Sequence, residues 1–190
     1  MTSKTNIYQM VADCIDEDVI SDITDDNKFV NWMNRNYPLA KESLLSTGRW
    51  NFAKKRATLL KRTEEPPFEW AYWYTLPSGC LLLYPLTLDG SPKSSRVPFS
   101  LESGVIYTNL GESINIRFID NVDEDVFHPL FTNYLVIELA LRVAHWMSGK
   151  ASYADVLARR LKDAKKNALV WNALNTDPED AVVYDIDLVR

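Results

Sequence analysis

The run Leu44-Leu45-Ser46-Thr47-Gly48-Arg49-Trp50-Asn51-Phe52-Ala53-Lys54-Lys55-Arg56-Ala57-Thr58-Leu59 changes period in its middle, and that change decides the fold. On its amino-terminal side apolar residues recur at helical spacing: Phe29, Trp32, Met33 and Tyr37, then Leu39, Leu44 and Leu45. Gly48 is placed as the stop just beyond a helix end. On the other side, up to Asp120, short runs of aromatic and branched residues alternate with Pro, Gly, Ser and Asn turn signals. Strands are expected over 52–60, 69–75, 80–86, 105–108 and 113–119. Asp89-Gly90-Ser91-Pro92 reads as a turn, and Asn109-Leu110-Gly111 as a tight hairpin loop.

Working outward, Ile7, Met10, Val11 and Cys14 predict a short first helix, and Asp25 and Asp26 supply the negative charge that favours the start of a second. Pro38 either opens a further segment or kinks that helix. Beyond the strands, Pro129 suits the first residue of a long helix that is apolar around much of its girth. Gly149 ends it, and Ser152 with Asp155 resembles a capping box for a last helix striped by Tyr153, Val156, Leu157, Leu161, Ala164, Ala168 and Trp171. The two long helices are expected to form an antiparallel hairpin. After Pro178 the alternation of Val182, Tyr184, Ile186 and Leu188 has a strand's period of two. It predicts a segment able to pair with a sheet edge of its own domain or of a neighbouring subunit.

The expectation is therefore an α+β fold: one domain over 1–190, a helical bundle with two long C-terminal helices and a β-rich insertion between helical ends. Its parts are helical at 5–48 and 128–176, β-rich at 50–120, and extended as a C-terminal tail at 177–190.

Composition narrows the function. The chain has 190 residues, 46% of them hydrophobic, and a formal net charge of −5, which argues against a basic nucleic-acid binder. No signal-type segment opens it and no stretch approaches the ~20 apolar residues of a membrane span, so the protein is expected to stay in the cytoplasm where it is made. Cys14 and Cys80 are the only cysteines and are read as buried small hydrophobes. Six Trp, nine Tyr and seven Phe are the unusual feature, and composition alone does not divide them between core and interface.

A search for chemistry finds little. His128 and His145 are the only histidines; the first reads as part of a helix start, the second as a packed or interface residue. Asp120, Asp123, Glu124 and Asp125 cluster ahead of the long helix without calcium-loop spacing, and read as helix electrostatics rather than an ion site. Lys54, Lys55, Arg56, Lys61 and Arg62 form the one basic stretch, either a solvated or subunit-contact surface or a DNA grip. In a strand Lys55 would point opposite to Lys54 and Arg56. Phosphate-loop, nucleophile-elbow and metal-ligand motifs are missing. No catalytic, cofactor or metal residue is assigned.

The run 44–59 resembles the "LL-x-x-x-x-W-N-F-A-x-K-R-x-x-L" helix-to-strand passage of the tail tubular protein A-like adaptors of short-tailed bacteriophages. The resemblance continues in order through Trp70-Ala71-Tyr72-Trp73-Tyr74-Thr75-Leu76-Pro77, Ile106-Tyr107-Thr108-Asn109 and Phe127-His128-Pro129-Leu130-Phe131. The chain departs from the family's Asp-Cys-Leu-Arg continuation at Ser78-Gly79-Cys80-Leu81-Leu82, so no role of that Asp and Arg carries over. The resemblance implies a structural, non-enzymatic tail protein of the virion. It would form a homo-oligomeric ring of twelve subunits, docked between the portal protein and the tail nozzle protein, with DNA passing through the lumen without specific binding. The assembly interface is expected at Trp50, Phe52, Trp70, Tyr72 and Trp73, joined by Tyr184, Ile186 and Leu188 of the tail. The alternatives are a small tail-associated hydrolase using carboxylates, and a nucleic-acid-binding module built on residues 54–62.

Overall fold

A computed structural model describes residues 2–147 and 149–176. The expected interface positions Tyr184, Ile186 and Leu188, and the alternating tail that carries them, lie outside the described residues.

Local capping sets the first two helices. The Ser3 hydroxyl accepts from Asn6 N at 3.1 Å and opens α1 (Lys4–Cys14), which buries Ile7, Tyr8, Val11 and Ala12. The Asn27 side chain accepts from Val30 N at 2.8 Å and opens α2 (Lys28–Gly48). Asp25 serves the preceding loop instead, accepting from Ser21 N and Asp22 N. Pro38 neither opens a new segment nor ends the helix, since α2 runs through it. Leu39, expected on the apolar face, is exposed.

α3 (Pro129–Trp146) starts at Pro129 as expected, buries ten of its residues and packs against each of the other helices. α4 (Ala154–Leu174) follows a one-turn 3₁₀ helix, Ala151–Tyr153, that takes the place of the expected capping box; no side chain caps α4. The start of α3 meets the end of α4, where the rings of His128 and Trp171 stack at 3.5 Å, so the two helices are antiparallel. Val156, expected on the apolar stripe of α4, is exposed. No described helix is long and apolar enough to cross a membrane.

Between the helices in sequence lie β1 (Lys54–Leu60), β2 (Tyr72–Thr75), β3 (Cys80–Leu83), β4 (Phe99–Glu102), β5 (Val105–Thr108) and β6 (Ser113–Asp120). They form two separate antiparallel sheets, β1-β6-β3 and β2-β5-β4. The expectation of a helical bundle with one β-rich insertion is thereby corrected. Among the described residues the chain is α+β with four helices at its two ends and two small three-stranded sheets in the middle.

The physical reason lies in β6. Ile114, Ile116 and Phe118 turn one face into a core shared with Tyr74, Leu86 and Ile106, while Ile119 on the opposite face joins the helical core. A strand apolar on both faces sits between two layers. The first sheet is therefore sandwiched between helices and the second sheet.

The expected hairpin at 109–111 is a second correction. Gly111 does have positive φ (40°), but β5 and β6 belong to different sheets, and the segment carries the chain from one to the other. The true hairpin joins β4 to β5 through Ser103 and Gly104, both left-handed at φ 49° and 77° as a type I′ turn requires. β4 itself was not anticipated.

Candidate functional site

The helix-to-strand run at 44–59 forms the joint between the layers. α2 ends with Gly48 still helical, and Arg49, not Gly48, takes the left-handed cap conformation (φ 44°, ψ 47°). Gly48 is needed for a different reason. A Cβ there would overlap the Trp50 indole, which folds back over the helix end and donates from Nε1 to Leu44 O at 2.7 Å. Trp50 is buried and meets Phe131 edge-on at 4.9 Å; Phe52 packs on Phe127 and Phe131 at 5.8 and 5.0 Å.

Asn172, a buried polar residue on α4, locks this joint. Its Nδ2 donates to Gly48 O and Arg49 O at 3.2 and 3.4 Å, two of the carbonyls that a helix end leaves without intrahelical partners. Its Oδ1 accepts from Asn51 N at 2.9 Å, and Asn51 Nδ2 in turn donates to Asn172 O, Asn175 O and Thr176 Oγ1. One amide from the last helix thus caps the second helix and aims the chain into β1. The sequence reading missed this pair; an Asn one turn beyond Ala168 on the stripe of α4 signals only that a polar residue falls on the inner face there.

The other expected interface residues sit elsewhere. Trp70, Tyr72 and Trp73 belong to the region of the second sheet and are half-buried. Trp73 Nε1 donates to Glu64 O at 2.6 Å, its ring lies 5.9 Å from Tyr107, and the Arg62 guanidinium covers it at 4.5 Å. Lys61 reaches over Tyr72 at 5.5 Å. The five aromatics expected at the assembly interface therefore divide into a buried Trp50 with a half-buried Phe52 at the joint and a half-buried trio in the region of the outer sheet.

The basic stretch is similarly divided. Lys55 pairs with Asp120 at 2.5 Å, Lys61 with Glu112 at 2.8 Å, and Lys54 lies over the Tyr84 ring at 5.5 Å. In the acidic cluster Glu124 is the structural member. It accepts from Tyr37 Oη at 2.8 Å and from Lys41 Nζ at 3.2 Å. Burial pushes its carboxyl up, but the bonds from Tyr37, its own backbone and Lys41 outweigh this and hold it below the ordinary range. The same partnership, with burial foremost, raises the Tyr37 phenol. No group of three or more potential metal-ligating side chains occurs among the described residues.

His128 is the N-cap of α3. Its Nδ1 accepts from Leu130 N at 3.3 Å, and burial against its surroundings lowers its pKa, so the ring is neutral there at pH 7. His145, expected to be packed or at an interface, is exposed. Both cysteines are half-buried rather than fully buried, and burial raises both thiols. A cleft of about 750 Å³ opens between the start of α2 and the end of α3, lined by Lys28, Asn31, Asn34, Arg35, Trp146 and Met147.

No family model matches the chain, and no curated protein matches it.

Proposed function

We propose that the chain is a structural subunit of a short-tailed bacteriophage tail. It assembles as a ring of twelve identical copies that adapts the portal to the tail nozzle, lets DNA pass through its lumen, and acts by assembly rather than catalysis. It would be made in the host cytoplasm and end in the tail of the virion. The observation that carries this reading is the ordered series of sequence patterns from Leu44 to Phe131 that resembles the tail tubular protein A-like adaptors.

Two features of the fold support it. The most specific of those patterns, the run 44–59, spans the joint between helices and sheets, where Trp50 is buried and Asn51 bonds to Asn172. Half-exposed Trp70, Tyr72 and Trp73 also offer the large aromatic side chains on which interface energy concentrates. In the assembled ring these residues, with Tyr184, Ile186 and Leu188, would meet a neighbouring subunit or the portal, while Trp50 and Phe52 hold the joint.

Electron microscopy of the purified protein mixed with its phage's DNA-filled tailless heads, or with isolated portal rings, tests the proposal. A ring at the portal vertex and nowhere else is the expected result. Absence of binding by the folded protein at high concentration, with an intact portal, overturns it.

A further inference from the structure

The face of β1 and β6 that turns away from the inter-sheet core is basic at its first two pairs and uncharged at its third. Lys54, Arg56 and Thr58 stand opposite Ile119, Arg117 and Asn115 in the antiparallel register. Ile119 is buried against the helices, but at the next pair on this face Arg56 and Arg117 are directly across from each other, an arrangement that favours a negative charge close by. Arg49, Lys54 and Arg117 also converge on one ring, lying over Tyr84 at 5.0, 5.5 and 5.3 Å.

The turn that carries Gly90, Ser91 and Lys93 walls the outer side, giving a cleft of about 530 Å³ with Arg56, Lys93 and Arg117 among its lining residues. Asp89 is the acid on its rim, where its Oδ1 accepts from Ser91 N at 2.7 Å. Arg117 belongs to both groups, so the three cations over Tyr84 and the three lining the cleft are five residues gathered side by side in a chain whose formal net charge is −5. Such a concentration focuses potential and selects an anionic ligand.

The sequence supplies that ligand. Residues 177–190 hold Asp177, Glu179, Asp180, Asp185 and Asp187 against a single Arg190. They follow Thr176, whose Oγ1 accepts from Asn51 Nδ2 at 2.9 Å, and Asn51 is only three residues ahead of Lys54. Fourteen residues extend to ~50 Å at most, so the basic face is well within reach. Tethering at this point also gives the segment an effective concentration in the millimolar range.

We propose that the basic face formed by Arg49, Lys54, Arg56, Lys93 and Arg117 is the docking site of this chain's own residues 177–190, held through their carboxylates. Guanidinium groups suit that ligand because they bind carboxylates in paired, charge-assisted hydrogen bonds. The inference concerns the carboxylates of this segment within one subunit and leaves Tyr184, Ile186 and Leu188 to the ring contact proposed above.

Carbodiimide cross-linking of the full chain, which condenses a carboxylate with an amine in contact with it, followed by peptide mass analysis, tests it directly. The Lys61–Glu112 pair is the internal standard. The expected products join Lys54 or Lys93 to an acid between 177 and 190, and in an equal mixture of ¹⁴N and ¹⁵N chains they carry one isotope only. Arg56→Glu, an exposed change, should lower their yield by about fivefold while leaving the standard unchanged. Mixed-isotope products overturn the intramolecular assignment. Formation of the Lys61–Glu112 product without any Lys54 or Lys93 product overturns the docking site altogether. Shielding of those two lysines by short duplex DNA in that case would identify the face as a nucleic-acid site instead.

Discussion

The joint at Trp50–Phe52 and the outer-sheet trio Trp70, Tyr72 and Trp73 are built from the same residue types and are opposite in physical character. Trp50 is buried, meets Phe131, and spends its one polar atom on the last turn of α2. Trp73 also satisfies its indole nitrogen, yet its ring is only half-buried and is covered by the solvated stem and head of Arg62. An aromatic residue therefore reports its role through what closes over it, not through its presence. The joint holds this molecule together, whereas the trio leaves aromatic surface available to another.

The sharpest way to break the comparison is to truncate one ring from each region. Trp50→Ala should cost ~3–5 kcal/mol, the range for large aromatic-to-alanine changes in cores, and should also strip Leu44 O of its side-chain partner. Trp73→Ala should cost about 1–2 kcal/mol, because part of its ring is already in water. Urea unfolding midpoints of the two variants measure both. Equal losses would mean that the outer trio is as structural as the joint.

A smaller effect is expected at Gly48. Its backbone is helical, so alanine carries no conformational penalty, and the whole cost comes from the Cβ that would press into the Trp50 ring. Overpacking of this kind costs ~1–3 kcal/mol. In a Trp50→Ala background the penalty should vanish, since the obstructing ring is gone; a penalty that persists there would place its origin in the backbone.

Much of the helical part was legible in the sequence because each helix repeats its message over several turns. Pro129 as the first residue of α3 and the stripe Leu157, Ala164, Ala168 on α4 are where the pattern put them. The two-sheet arrangement was not legible, because a single residue carries it: Ile119 reverses the alternation of Ile114, Ile116 and Phe118 and sends β6 into a second core. The joint was readable in outline at Gly48–Trp50 but with the wrong cause, since the helix stop falls on Arg49 and the glycine serves the indole. Asn51 and Asn172 lie 121 positions apart, and local pattern carries no signal that two amides at such a distance meet.

Glu124 extends the comparison to charge. Its depressed carboxyl pKa means that the folded state favours the ionised form, so its contribution to stability is complete above the unfolded value and is lost as pH falls below 4.5 through the folded one. Glu124→Gln keeps an acceptor for Tyr37 but removes the charge that faces Lys41. It should lower stability at pH 7 by about 1 kcal/mol and flatten the acid limb of the stability curve. Parallel urea titrations at pH 7 and pH 4 check this, and an acid limb as steep as in the parent chain would shift the titration to other carboxylates.

The smallest change belongs to the tip of the outer sheet, where Ser103 holds φ 49° ahead of Gly104. A type I′ turn requires positive φ at both central residues, and asparagine tolerates that geometry better than serine. Ser103→Asn should therefore raise stability by a few tenths of a kcal/mol without touching any core residue, since β4 and β5 keep their register on either side. Hydrogen exchange separates a local gain from a global one. Slower exchange confined to the β4–β5 amides, with the joint amides unchanged, would show that the outer sheet opens on its own ahead of global unfolding. A uniform slowing across both regions would instead mean that joint and outer sheet unfold as one unit, and the contrast between them would be one of packing alone.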